Sequence, residues 1–179
     1  MNKFFELGKN LSLDVISKLL FENKKIKLSK ETENKISKSR YFLEKKITAS
    51  SEKIYGVNTG FGSLCDTQID KKDIKVLQEN LILSHSCGTG KVIPKEIAKL
   101  ILLLKINSLC LGYSGVRLSL VKKLISFYNK DLIPVIYEQG SLGASGDLAP
   151  LAHMSLPLIG KGEFYYKNSI RKSKKILKN

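Results

Sequence analysis

Apolar positions recur at helical spacing along most of this chain. Leu13, Ile16, Leu19 and Leu20 form one stripe behind Ser12, whose hydroxyl can cap the first turn. A second helix is expected from Ser29, with Glu31 and Glu33 in its first turn and Ile36, Leu43 and Ile47 facing inward. Asp70 is expected to cap a third, which carries Ile74, Leu77, Leu81, Ile82 and His85 down one side. Pro94 suits the first turn of a fourth, running to Leu111 and stopping at Gly112, and residues 116–128 make a fifth. Residues 133–137, short and β-branched, read as extended. Asp147 can cap a last helix through Ile159, closed by Gly160, and residues 162–170 fit a small hairpin with Lys167 and Asn168 at its turn. The expected fold class is mainly α, with little β structure.

One segment breaks the helical pattern. Residues 48–70 are rich in glycine and polar side chains, with Gly56, Gly60 and Gly62 around Tyr55 and Phe61. A loop this long inside a compact domain is usually functional or disordered, and the spacing of its glycines favours a shaped, functional loop.

The net charge of +15 raises the question of nucleic acid, and its distribution answers it. Residues 1–47 carry twelve cations and six acids, residues 48–160 twelve and nine, and residues 161–179 seven and one. The excess therefore sits at the two ends. Arg40, Arg117 and Arg171 are the only arginines, and no aromatic-interleaved basic stripe is present. The charge reads as a lysine-biased solvated surface, with no nucleic-acid partner expected. Cys65, Cys87 and Cys110 have no paired spacing, which argues against a disulfide framework and a zinc site. The N-terminal apolar run is too short for a signal peptide, and Lys99 and Lys105 interrupt the most apolar stretch. A cytoplasmic protein with no membrane partner and no metal is expected.

The densest chemistry lies in Gly140-Ser141-Leu142-Gly143-Ala144-Ser145-Gly146-Asp147, continued by Leu148-Ala149-Pro150-Leu151-Ala152-His153. Ala144-Ser145-Gly146 can build an electrophile from its own backbone. Attack of the Gly146 nitrogen on the Ala144 carbonyl closes a five-membered ring with loss of water, and dehydration of Ser145 leaves an exocyclic methylidene. Gly146 has no Cβ to obstruct the approach, Ala144 is small, and Gly140 and Gly143 permit a strained backbone. Ala-Ser-Gly alone is a common tripeptide, and a small-residue turn into a helix would explain an isolated match.

The match is not isolated. The whole run resembles the signature of the aromatic amino-acid ammonia-lyases and aminomutases, which make a methylidene-imidazolone (MIO) group autocatalytically from Ala-Ser-Gly. Tyr55-Gly56-Val57-Asn58-Thr59-Gly60-Phe61-Gly62, Leu77-Gln78-Glu79-Asn80-Leu81-Ile82-Leu83-Ser84-His85 and Leu111-Gly112-Tyr113-Ser114-Gly115-Val116-Arg117 resemble the same family in the same order. The likeness runs from about residue 11 to about residue 162. It implies a helical N-terminal MIO-type domain over residues 1–162, a basic C-terminal tail over residues 163–179, and absence of the family's long central helix bundle. It implies MIO formed from Ala144, Ser145 and Gly146 as the sole cofactor, with neither metal nor diffusible cofactor.

The resemblance also assigns roles. Tyr55 matches a catalytic acid/base, although a tyrosine here could simply pack the loop. His85 matches the position that faces the substrate side chain, where an imidazole can exchange hydrogen bonds with another imidazole or a phenol. Asn58 and Gln78 are candidate hydrogen-bonding partners of loop or substrate, and Arg117 fits either an ion pair or a carboxylate clamp. Asp147 could cap the helix whose positive pole would lie beside the prosthetic group. His153 is assigned a structural place in that helix, and the run it ends is more similar to the histidine-acting members than to plant-type phenylalanine lyases. The implied activity is non-oxidative deamination of L-histidine to urocanate and ammonia, in a homotetramer at full length. A tyrosine lyase or aminomutase, and an inactive remnant that only binds, are the alternatives.

Overall fold

The computed structural model describes residues 4–49, 52–60, 62–70, 72–143, 146, 148–167 and 169–178. The chain opens with β1 (Phe4–Leu7), α1 (Leu13–Phe21), β2 (Lys25–Leu28) and α2 (Lys30–Ala49). The two strands pair in parallel, Leu7 opposite Leu28, and neither was expected from the sequence. Four residues give too short a pattern to read, and the pairing depends on a distant bracket. Asn129 accepts from the Ile26 amide at 2.9 Å and donates to the Ile26 carbonyl at 2.8 Å. Ser12 caps α1 through the Val15 amide at 3.3 Å, and Ser29 caps α2 through the Thr32 amide at 3.1 Å, as expected. Leu13 departs from expectation: it is 84% exposed, so the inward face of α1 is carried by Leu19.

After the glycine-rich loop come α3 (Ile74–His85), β3 (Thr89–Val92), α4 (Lys95–Cys110) and α5 (Leu118–Asn129). Asp70 does not cap α3. The cap position belongs to Asp73, whose amide turns back to the Asp70 carbonyl at 2.9 Å. Helices α4 and α5 form the centre of the core, with Leu102, Leu103, Ile106, Val121 and Phe127 sealed from solvent. Removing such side chains from water is the main stabilising term in a domain of this size. Gly112 ends the α4 region at φ +81°, and its Cα packs so closely on Lys35 that a Cβ would come within 3.2 Å of that backbone.

The last third contains β4 (Ile133–Pro134), β5 (Tyr137–Gln139), α6 (Leu148–Ser155), β6 (Glu163–Tyr166), β7 (Ser169–Lys172) and α7 (Ser173–Ile176). The helix expected through Ile159 tightens to a 3-10 turn over Leu156–Ile159, where Pro157 cannot supply an α-helical donor, and Gly160 closes it at φ +73°. The expected hairpin is present as β6 and β7, and β6 also pairs with β4. Of its two expected turn residues, Lys167 has φ +44° and Asn168 lies outside the described residues. Residues 163–178 are built into the fold rather than trailing from it. Phe164 is fully buried edge-on against Phe127, with ring centroids 5.0 Å apart, and Ser173 is fully buried too.

Candidate active site

Two loops and one helix end carry the candidate chemistry. The first loop is held by Asn58. Its Oδ1 accepts from the Ile54 amide at 2.7 Å and its Nδ2 donates to the Glu52 carbonyl at 3.0 Å, which closes the turn bearing Tyr55. A Thr59–Gln68 bridge and a bond from the Gly60 amide to the Thr67 carbonyl at 3.0 Å fold the rest of the loop back on itself. A Cβ on Gly60 would meet Leu64 at 2.6 Å, so only glycine fits there. Tyr55 stands 64% exposed at the rim of this loop, while Asn58 is buried beneath it.

His85 ends α3. Its Nδ1 lies 2.9 Å from the Leu81 carbonyl and so carries the ring proton toward that acceptor, leaving Nε2 as the atom that can meet a ligand. Gln78 lies seven residues earlier, two helical turns back, so it shares a face with His85, and both are half-buried. Helix α3 buries no residue fully and packs along α6. Arg117 occupies the cap position of α5, exposed and without an ion pair among the described residues.

The chain from His85 to the tripeptide loop is continuous and tightly packed. Strand β3 pairs antiparallel with β5, Thr89 opposite Gln139 and Val92 opposite Tyr137. The Gly88 amide donates to His153 Nε2 at 2.9 Å. His153 is 8% exposed and stacks edge-on against Tyr137, centroids 5.1 Å apart. Its burial lowers its pKa below the ordinary histidine value. Gly140 approaches Gly88 so closely that a Cβ would fall 2.9 Å from the Gly88 Cα, and its φ is +116°. The two glycines and His153 thus lock the end of α3 to the start of the tripeptide loop. Neither contact was legible beforehand, because the partners lie about fifty and sixty-five residues apart and a glycine amide carries no side-chain signal; the assignment of His153 as structural agrees with the geometry.

Ala144, Ser145 and Asp147 lie outside the described residues. Gly146 is described: its φ is +85°, its amide donates to the Gly143 carbonyl at 3.3 Å, and nothing lies within 4 Å of an added Cβ. The Gly146 amide thus points back to Gly143, and Gly146 itself is exposed. The positive φ of Gly146 and the open space beside its Cα suit a residue whose nitrogen must approach a carbonyl two residues back. The Cys110 thiol is buried and pushed up to about 11, and among the described residues no cluster of His, Cys, Asp or Glu could hold a metal ion. No helix among them is long and apolar enough to cross a membrane.

Comparison with known proteins covers nearly the whole chain. The sequence model of the family described as aromatic amino acid lyase matches residues 11–179. A histidine ammonia-lyase of Shouchella clausii is 48% identical over 160 residues, which is 89% of this chain and 32% of the relative. The crystal structure of histidine ammonia-lyase from Trypanosoma cruzi superposes with a TM-score of 0.85 at 35% identity, over 98% of this chain and 34% of that one. Tyrosine aminomutase from Streptomyces globisporus superposes with a TM-score of 0.87 at 33% identity, over 96% of this chain and 32% of that one. The chain spans about a third of the length of the curated relatives it matches.

Proposed function

The chain belongs to the aromatic amino acid lyase family, and from that membership we propose that it is the electrophile-bearing part of a histidine ammonia-lyase. It would deaminate L-histidine to urocanate and ammonia once completed by the segments that make up the rest of its relatives' length. Residues Ala144, Ser145 and Gly146 would form the methylidene-imidazolone, which supplies an electrophile that makes the substrate's amino group a better leaving group. Tyr55, carried on the Asn58-braced turn, would take the β-proton. Its ring stands 64% exposed at the rim of that loop, within reach of a substrate arriving from solvent. His85 Nε2 would meet the substrate imidazole, and Gln78, on the same face of α3, would extend that polar surface. Asn58 acts through the turn it holds, and Asp147 would place a helix pole beside the prosthetic group. The site needs neither metal nor diffusible cofactor in this reading. The working assembly would be a cytoplasmic homotetramer.

The observation that carries the reading is the Gly88–His153 bond, which with the Gly140 contact joins the His85 helix end to the tripeptide loop. The test is the intact mass of the purified chain. A deficit of two waters, mapped to the peptide containing Ser145, is expected, and the Ser145→Ala chain should keep its encoded mass. An encoded mass in the unaltered chain, alone and when co-expressed with the remaining two thirds of a relative, would leave only the non-catalytic remnant.

A second reading, a tyrosine lyase or aminomutase, is favoured by the likeness to tyrosine aminomutase and by the capacity of His85 to bond a phenol. The higher identity to histidine ammonia-lyases supports the first. Product analysis of the completed enzyme with L-histidine and L-tyrosine separates them.

A further inference from the structure

A concave cavity of about 440 Å³ opens behind the His153 scaffold, between the 3-10 turn after α6 and the β6–β7 hairpin. That volume lies in the range of small-ligand sites. Val135, Leu156 and Tyr137 supply apolar wall, and Lys161, Lys172 and Lys174 also line the cavity. We propose that this cavity binds a small organic anion, a carboxylate carried on a flat apolar body.

The segments that carry the lysines are brought together by backbone bonds. The Ser173 hydroxyl donates to the Lys161 carbonyl and the Ser173 amide to the Gly162 carbonyl, the latter at 3.0 Å. Those bonds draw the start of α7 onto the turn between the 3-10 helix and β6. Gly162, at φ +64°, sits so close to Leu156 that a Cβ would meet the Leu156 Cβ at 2.7 Å. Only a glycine permits that approach, so the turn that presents Lys161 is fixed. Lys172 is placed by the hairpin register, opposite Glu163, and Lys174 is the second residue of α7. Three separate elements thus deliver one cation each.

Among the described residues none of the three lysines takes part in an ion pair, although Glu163 lines the same cavity. Like charges set around one cavity repel one another, and a bound anion removes that repulsion. A purely inorganic anion would leave the apolar wall unused. A neutral aromatic would leave the ammonium groups unanswered. An aromatic carboxylate satisfies both, and its ring would lie against the Tyr137 side of the cavity, where His153 also contributes to the wall.

The experiment is an NMR titration of the isotopically labelled chain with benzoate, following the Gly160 and Gly162 amides, with benzamide, inorganic phosphate and chloride as comparison solutes at matched ionic strength. Saturable shifts are expected with benzoate, with apparent affinity at least tenfold weaker for benzamide, phosphate and chloride. The double variant Lys172→Gln, Lys174→Gln should bind benzoate at least tenfold more weakly. Lys38→Gln, on the exposed side of α2, and the charge-preserving double variant Lys172→Arg, Lys174→Arg should bind as the unaltered chain does. Equal response to benzamide, equal response to phosphate or chloride, or undiminished binding by a folded Lys→Gln double variant would each overturn the proposal.

Discussion

His153 Nε2 accepts the Gly88 amide at 2.9 Å, and this single bond spans sixty-five residues to join the helix after the tripeptide to the segment that follows His85. The ring is buried and braced on Tyr137, so its orientation is set before any ligand arrives. Because the amide donates to Nε2, the ring proton must reside on Nδ1.

Replacing this acceptor should be costly out of proportion to its size. His153→Ala leaves the Gly88 amide without its partner and opens a space beside Tyr137, a loss of about 1–3 kcal/mol. His153→Gln offers a carbonyl oxygen at similar reach and should recover at least half of that loss. Chemical denaturation of the two variants measures both. Equal destabilisation by Ala and Gln would show that the ring's packing, rather than its acceptor, matters.

The same bond sets a pH dependence. Burial lowers the His153 pKa from its ordinary value of 6.5, so the native state binds fewer protons than the unfolded chain as that value is approached from above. The stabilisation is therefore fully present above about pH 6.5 and is lost as pH falls from there through the lowered pKa, at most about 1.4 kcal/mol for each pH unit. Thermal melts at pH 7.5, 6.5 and 5.5 should show a decline in Tm that His153→Gln reduces. A decline of the same size in the variant would place the titration elsewhere.

Gly140 and Gly143 flank the same loop and should respond differently. A Cβ on Gly140 would lie 2.9 Å from the Gly88 Cα at a φ of +116°, whereas Gly143 has nothing within 4 Å. Gly140→Ala forces both a strained backbone and a displaced neighbour, costing about 1–3 kcal/mol for the strain alone. Gly143→Ala should stay within about 1 kcal/mol of the parent. In the completed enzyme, Gly140→Ala should also slow formation of the electrophile, read as the fraction of chains lacking two waters after expression.

Much of this architecture can be read from the sequence, and the exceptions have physical causes. The stripe of Leu102, Leu103 and Ile106 marks α4 as a core helix because burial at helical spacing is a local signal. Leu13 sits on an equally good stripe but is exposed, since α1 meets the core through Leu19 alone among its fully buried residues. The shift from Asp70 to Asp73 at the start of α3 reflects two acids spaced three apart, either of which suits a cap. The β1–β2 and β3–β5 pairings depend on partners far away in the chain, and no window of sequence contains both sides. At the candidate site, the clamp between Gly88, Gly140 and His153 could not be read from the motifs, because its partners lie in separate stretches of the chain.

Asn58 should govern the order of the Tyr55 turn. Both side-chain atoms of this buried residue bond to loop backbone, so Asn58→Ala leaves the Ile54 amide and the Glu52 carbonyl without those partners. A loss of about 1–3 kcal/mol, concentrated locally, is expected. Tryptic cleavage after Lys53 should accelerate at least tenfold while the melting of the α4–α5 core changes little. Asn58→Asp keeps the acceptor and loses the donor, and should fall between the two. Unchanged cleavage in Asn58→Ala would mean that the turn is held by its backbone bonds alone.

Substitution of Tyr55 should separate electrophile formation from turnover. It stands on the exposed rim of its loop, whereas the residues proposed to form the ring belong to a different segment after β5. Tyr55→Phe removes the hydroxyl that would move the substrate proton and leaves the aromatic body in place. The variant chain should therefore still lose two waters in full. In the completed enzyme kcat should fall by about 10²-fold or more, the usual contribution of a positioned acid or base, with KM changing far less. Loss of the dehydrated mass in Tyr55→Phe would instead assign the hydroxyl to making the electrophile, and an unchanged kcat would remove Tyr55 from the chemistry altogether.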